Sequence, residues 1–179
     1  MDILCSDKTG TLTLNQLTVK DVFPIGKYTK EDVKLYAKLS SKDPADGELE
    51  PIDRCVTGVD PKSTMVDKVD PKTGLLKSVK EIDEADKERL IDEFNKDVLP
   101  YSIKPTAQGG SMAKFIPFDP TRKRTEATLR APSGEVFAVS KGSPQMITAL
   151  VTDPAVRATV AGVVDEYAGR GYRTLGVAR

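Results

Sequence analysis

Asp7-Lys8-Thr9-Gly10-Thr11-Leu12-Thr13, near the start of the chain, brings together the parts of a phosphoryl acceptor. The apolar Ile3-Leu4-Cys5 just before it reads as a buried strand ending at the acid. A carboxylate in that place is ionised at neutral pH and can act as a nucleophile without a helper base. Lys8 sets a fixed positive charge beside Asp7, and Thr9 and Thr11 offer hydroxyls. Gly10 lets backbone N–H groups close on phosphate oxygens. The plain alternative is a strand followed by a Gly/Thr-rich turn.

A second set of candidates is scattered through the rest of the chain. Lys141 stands between an expected strand and helix, where a cation can reach a base edge or phosphates and the helix N-terminus adds partial positive charge. Phe118, at a strand edge, can stack on a nucleobase; its alternative is an ordinary core position. Lys123 and Arg124 form a basic run that also fits a solvated face. Glu50 and Asp53 are one helical turn apart and share a face.

Much other chemistry is closed to this chain. The sequence has no histidine, which removes Ser–His and Cys–His catalysis and His-ligated zinc. Two cysteines, Cys5 and Cys55, suit reduced thiols better than a disulfide framework. Lys plus Arg equals Asp plus Glu at 27 each, a balance that argues against a nucleic-acid scaffold. No Gly-x-x-x-x-Gly-Lys-Ser/Thr or Gly-x-Gly-x-x-Gly string occurs. No apolar run approaches the length of a membrane span.

The first seven-residue motif resembles the aspartyl-phosphate signature of the P-type ion-pumping ATPases. Phe115-Ile116-Pro117-Phe118-Asp119-Pro120 with Arg122-Lys123-Arg124-Thr125 is similar to their adenine-pocket strand, and Lys141-Gly142-Ser143-Pro144 to their Lys-Gly-Ala/Ser-Pro nucleotide motif. Gly171 to Ala178 resembles the strand that returns to the phosphorylation domain. Pro-Phe-Asp-Pro with Lys-Arg-Thr is most similar to plasma-membrane proton pumps.

The resemblance implies roles. Asp7 would be the phosphorylated nucleophile, supported by Lys8 and Thr9, with Asp7 and Thr9 giving part of a Mg²⁺ site. ATP would be bound by Asp53, Phe118, Lys123, Lys141, Gly142 and Arg173, with Phe118 stacking on adenine and Asp53 accepting from its amino group. The partners implied are ATP and the phosphorylation, actuator and transmembrane domains of a parent pump, with no nucleic acid. The chain is then expected to be an excised piece from the cytoplasmic side of a plasma membrane. A soluble aspartate-nucleophile phosphatase or phosphotransferase is one alternative, and a non-catalytic regulatory or partner-binding domain is another.

The expected fold class is α+β, an antiparallel sheet flanked by helices. Residues 1–16 would be a stub of the phosphorylation domain, 17–24 a hinge strand, 25–172 the nucleotide-binding domain and 173–179 the return strand. The strand at 17–23 rests on alternating Leu17 and Val19 before Val22-Phe23. A helix capped by Thr29 presents Val33, Tyr36, Ala37 and Ser40 inward, and a short one near residue 48 carries Ile52 and Val56. Residues 58–110 form a charged elaboration with short strands at 63–69 and 75–79 and a helix at 83–96. Strands follow at 114–118, 125–131 and 135–141, the last two joined by Pro132-Ser133-Gly134. A helix from Ser143-Pro144 to about 151 precedes one opened by Asp153-Pro154, with Val156, Val160, Val163, Val164 and Tyr167 as its buried face, and a strand at 173–178. Phe115 is expected in the core.

Overall fold

A computed structural model describes residues 17–42, 49–58, 67–69, 76–78, 84–101 and 114–179. Its elements, in chain order, are α1 (Lys30–Leu39), α2 (Pro51–Thr57), β1 (Asp67–Val69), β2 (Leu76–Ser78), α3 (Glu84–Val98), β3 (Lys114–Asp119), β4 (Arg124–Arg130), β5 (Val136–Gly142), α4 (Pro144–Thr148), α5 (Pro154–Gly169) and β6 (Gly176–Ala178). The sheet runs β3-β4-β5-β6, antiparallel throughout, and β1 and β2 pair separately. The fold is α+β, an antiparallel sheet flanked by helices, as the sequence predicts.

Alternation explains the sheet. In β4, Thr125, Ala127 and Leu129 are buried, while Arg124, Glu126 and Thr128 face the other way. The β4–β5 register sets Thr125, Ala127 and Leu129 opposite Lys141, Val139 and Phe137. Leu39 joins Ala127, Leu129, Phe137 and Val139 to make the core, with Leu35, Tyr36, Val98 and Tyr101 packed around it. So α1 and the end of α3 cover one face. On the other, α4 packs against β6, and Ile147 lies directly over Gly176.

The turns and caps were written in the sequence. Thr29 and Asp32 form a reciprocal capping box, with Asp32 N–H donating to Thr29 Oγ1 at 3.1 Å and Thr29 N–H to Asp32 Oδ2 at 2.8 Å. Ser143 and Asp153 cap α4 and α5, each with proline in the first turn. Gly134, at φ 90°, closes the β4–β5 hairpin, where Gly134 N–H donates to the Ala131 carbonyl at 2.8 Å.

Five expectations need correction. Residues 17–23 form no strand, and Leu17, Val19 and Phe23 are exposed; alternation sets the faces of a strand but supplies no neighbouring ladder. Side chains hold the segment instead: Asp21 accepts from Tyr167 Oη at 2.8 Å and Lys30 Nζ at 3.1 Å. The last strand covers only Gly176–Ala178, because its pairing ends at Gly142. The helix after Ser143 stops at Thr148, and the stripe of α5 is half-buried, with no residue of that helix fully covered. Phe115 is 36% exposed because β3 is an edge strand. At the opposite end, the Arg179 guanidinium donates to Glu135 Oε2 at 2.8 Å and Tyr36 Oη at 3.2 Å, and lies 4.5 Å from the Phe137 ring centroid.

Hydrogen bonds from Tyr167, Lys30 and the Val22 N–H lower the Asp21 pKa from 3.8 to about 2. The native state therefore binds fewer protons, so this contribution to stability is complete above the ordinary value and is lost as pH falls through about 2. Asp21→Asn should flatten the acid limb of stability over that interval. Thermal midpoints measured from about pH 5 down to 2 check this, and an unchanged limb counts against it.

Candidate functional site

Lys141 closes the buried face of β5 and is only 2% exposed. A lone buried ammonium is costly, so the fold must supply acceptors. It supplies three. Lys141 Nζ donates to Asp53 Oδ1 at 2.7 Å, to the Ser40 carbonyl at 2.6 Å and to Thr125 Oγ1 at 3.1 Å. Burial pulls the Lys141 pKa below the ordinary lysine value, against the raising influence of Asp53.

Two helix ends meet here. Ser40 is the C-cap of α1, where backbone carbonyls lack helical partners and carry partial negative charge, so a cation belongs there. Asp53 lies in the first turn of α2 and is 5% exposed. Its second oxygen, Oδ2, accepts from the Lys42 N–H at 3.2 Å. Thr125 Oγ1 also donates to the Ser40 carbonyl at 2.6 Å, which closes a ring of contacts among α1, β4 and β5.

Phe118 reaches the same face through a bulge. Ile116 pairs with Glu126 and Asp119 with Arg124, so Pro117 and Phe118 together oppose the single Thr125. Without that extra residue Phe115 and Phe118 would point to opposite faces. With it, both share the face of Thr125 and Lys141, and Phe118 is 54% exposed.

Lys123 occupies the β3–β4 turn at φ 50°, unusual for a residue with a side chain. Its carbonyl accepts from the Ser143 N–H at 3.0 Å. A Cβ on Gly142 would sit 2.3 Å from that oxygen, so only glycine lets the turn approach β5. The Asp119 carboxylate accepts from the Thr121 and Arg122 N–H groups, and those bonds lower its pKa. Arg173 is exposed just before β6.

The structure thus joins Asp53, Lys141 and the Phe118 edge on one face, and ties Lys123 to Gly142 through the backbone. Asp7, Lys8 and Thr9, and with them the expected Mg²⁺ site, lie outside the described residues. Lys141, expected to reach a base edge or phosphates, has its three hydrogens on protein acceptors. Thr125 and the Ser40 carbonyl were not singled out as site residues; the available signal was a small hydroxyl at the end of each inward stripe. A shallow cleft of about 420 Å³ lies elsewhere, lined by Lys27, Tyr28, Glu135, Phe137, Ala138 and Arg179 at the far end of β5.

No protein-family model matches the chain. Among known proteins it is 37% identical, over 99% of its length, to a protein of Methanocaldococcus jannaschii described as a cation-transporting ATPase. It is 32% identical to plasma membrane ATPases of Dunaliella bioculata and Neurospora crassa, over 99% and 100% of its length. The chain spans 17%, 12% and 16% of the lengths of these three relatives.

Removing one member of a buried pair strands the other charge, at a typical cost of about 3–5 kcal/mol. Lys141→Met should therefore destabilise the fold by that order, and Lys141→Met with Asp53→Leu should recover much of the loss. Urea unfolding of the two variants tests it; a double variant no more stable than Lys141→Met would count against the pairing. Gly142→Ala should cost about 1–3 kcal/mol through the clash with the β3–β4 turn, read in the same assay.

Proposed function

We infer that this chain, which belongs to the P-type cation-transporting ATPases, is the segment of such a pump that binds ATP. The observation that carries the reading is the buried Lys141–Asp53 pair on the same sheet face as the exposed Phe118 ring. The adenine stacks on Phe118, where an exposed aromatic on an edge strand can take a planar base without displacing core. Asp53 has one oxygen on Lys141 and the other on the Lys42 N–H. A carboxylate has about four acceptor sites, so it retains capacity for an amino group of adenine. It would repel the carbonyl that guanine carries at that edge, which favours ATP over GTP.

Lys123 and Arg173, both exposed, are the candidates for the phosphates, and Gly142 keeps the β3–β4 turn close to the pocket floor. In the parent enzyme the segments 17–24 and 173–179 serve as the hinge by which the nucleotide domain, residues 25–172, delivers the γ-phosphate. Asp7 takes that phosphate as nucleophile beside Lys8, and Asp7 and Thr9 would hold part of a Mg²⁺ site. The ion would neutralise charge on the transferring group. Hydrolysis of the aspartyl phosphate drives cation export, with protons as the cation, from the cytoplasmic side of a plasma membrane. Among the described residues no helix is long and apolar enough to cross a membrane.

The test is an ATP titration of the chain followed by backbone amide shifts in NMR, repeated with GTP. Saturable shifts around Phe118 and Asp53 at an affinity near millimolar, about −4 kcal/mol, are expected without Mg²⁺ and without turnover. Phe118→Ala should weaken binding by about 1–3 kcal/mol while leaving the fold intact, because the ring is exposed. Shifts absent from both regions would overturn the assignment.

A further inference from the structure

We propose that Thr125 is a positioning residue for base recognition: with the Ser40 carbonyl it occupies the Lys141 hydrogens that Asp53 leaves over, so the ammonium acts only through Asp53. The inference rests on the reading that this face takes an adenine. An ammonium has three hydrogens, and three acceptors surround it at 2.7, 2.6 and 3.1 Å. Thr125 spends its own hydrogen on the Ser40 carbonyl at 2.6 Å, which leaves its lone pairs for Lys141. Ser40, Lys141 and Thr125 are 0%, 2% and 5% exposed, so no open solvent stands ready to replace a missing acceptor.

This arrangement has a consequence for selectivity. A saturated Lys141 presents no hydrogen to a carbonyl on an incoming base. Asp53 alone then meets the base edge, and it accepts from an amino group while rejecting a carbonyl. Loss of the Thr125 hydroxyl would free one ammonium hydrogen in a dry site, and a guanine carbonyl is a ready acceptor for it. Thr125 is also the residue opposed by the Pro117-Phe118 bulge, so one position on β4 faces the stacking edge on one side and the ion pair on the other.

The test compares ATP and GTP dissociation constants for the wild-type chain, Thr125→Val and Thr125→Ser, with the Lys141 ammonium followed by ¹⁵N NMR. The wild type should prefer ATP. Thr125→Val should shrink that preference by about fivefold or more, chiefly through tighter GTP, and shift the ammonium signal. Thr125→Ser, which restores the hydroxyl, should return both to within about twofold of the wild type. An unchanged preference in Thr125→Val overturns the inference and leaves the nucleotide site standing. A wild-type chain with no ATP preference overturns the site reading and the inference with it. Should Thr125→Val fail to fold, the wild type decides alone: an ammonium signal unmoved at ATP saturation supports the inference, and one that moves as a direct ligand's would overturns it.

Discussion

The ion pair between Lys141 and Asp53 is the contact on which the geometry of the site face depends. Four pieces of chain must arrive together for it to exist: the end of α1, the start of α2, and the paired strands β4 and β5. Apolar packing alone would tolerate small slips between these elements. A buried charge tolerates none, because each lost acceptor leaves an uncompensated group in a medium that water does not reach. The pair therefore fixes how the helical layer sits on the sheet, and the apolar cluster around Val139 and Leu129 fills in beside it.

Backbone shape does the rest of the positioning. The bulge at Pro117 and Phe118 turns the ring onto the face of the ion pair, and proline suits a place where the ladder is already broken. The missing side chain at Gly142 lets the Lys123 turn press against β5. The site is assembled from an edge strand, a tight turn and two helix ends, all of them places where local structure departs from regularity.

Periodicity and capping residues made most of the fold legible. Thr29, Ser143-Pro144 and Asp153-Pro154 each marked a helix start, and Pro132-Ser133-Gly134 marked the hairpin between the two central strands. The failures share a cause. The segment 17–23 has the pattern of a strand, yet strand formation depends on a partner that pattern does not encode. Phe115 has the apolarity of a core residue but lies on an edge strand of the sheet and is exposed. At the site, Asp53, Lys141 and Phe118 were legible as residue types, whereas their convergence was not. An ion pair spanning 88 positions leaves no local trace, and neither does the Ser40 carbonyl, a backbone atom that any residue would supply.

The two clamps at the ends of the described chain have a mechanical meaning. Lys30, at the start of α1, holds Asp21, and Tyr36, further along the same helix, holds Arg179. The helix then ends at Ser40, whose carbonyl grips Lys141. A helix of ten residues is about 15 Å of stiff rod. A shift of Asp21 or of Arg179 is thus borne by one beam, whose far tip is bolted to the ammonium.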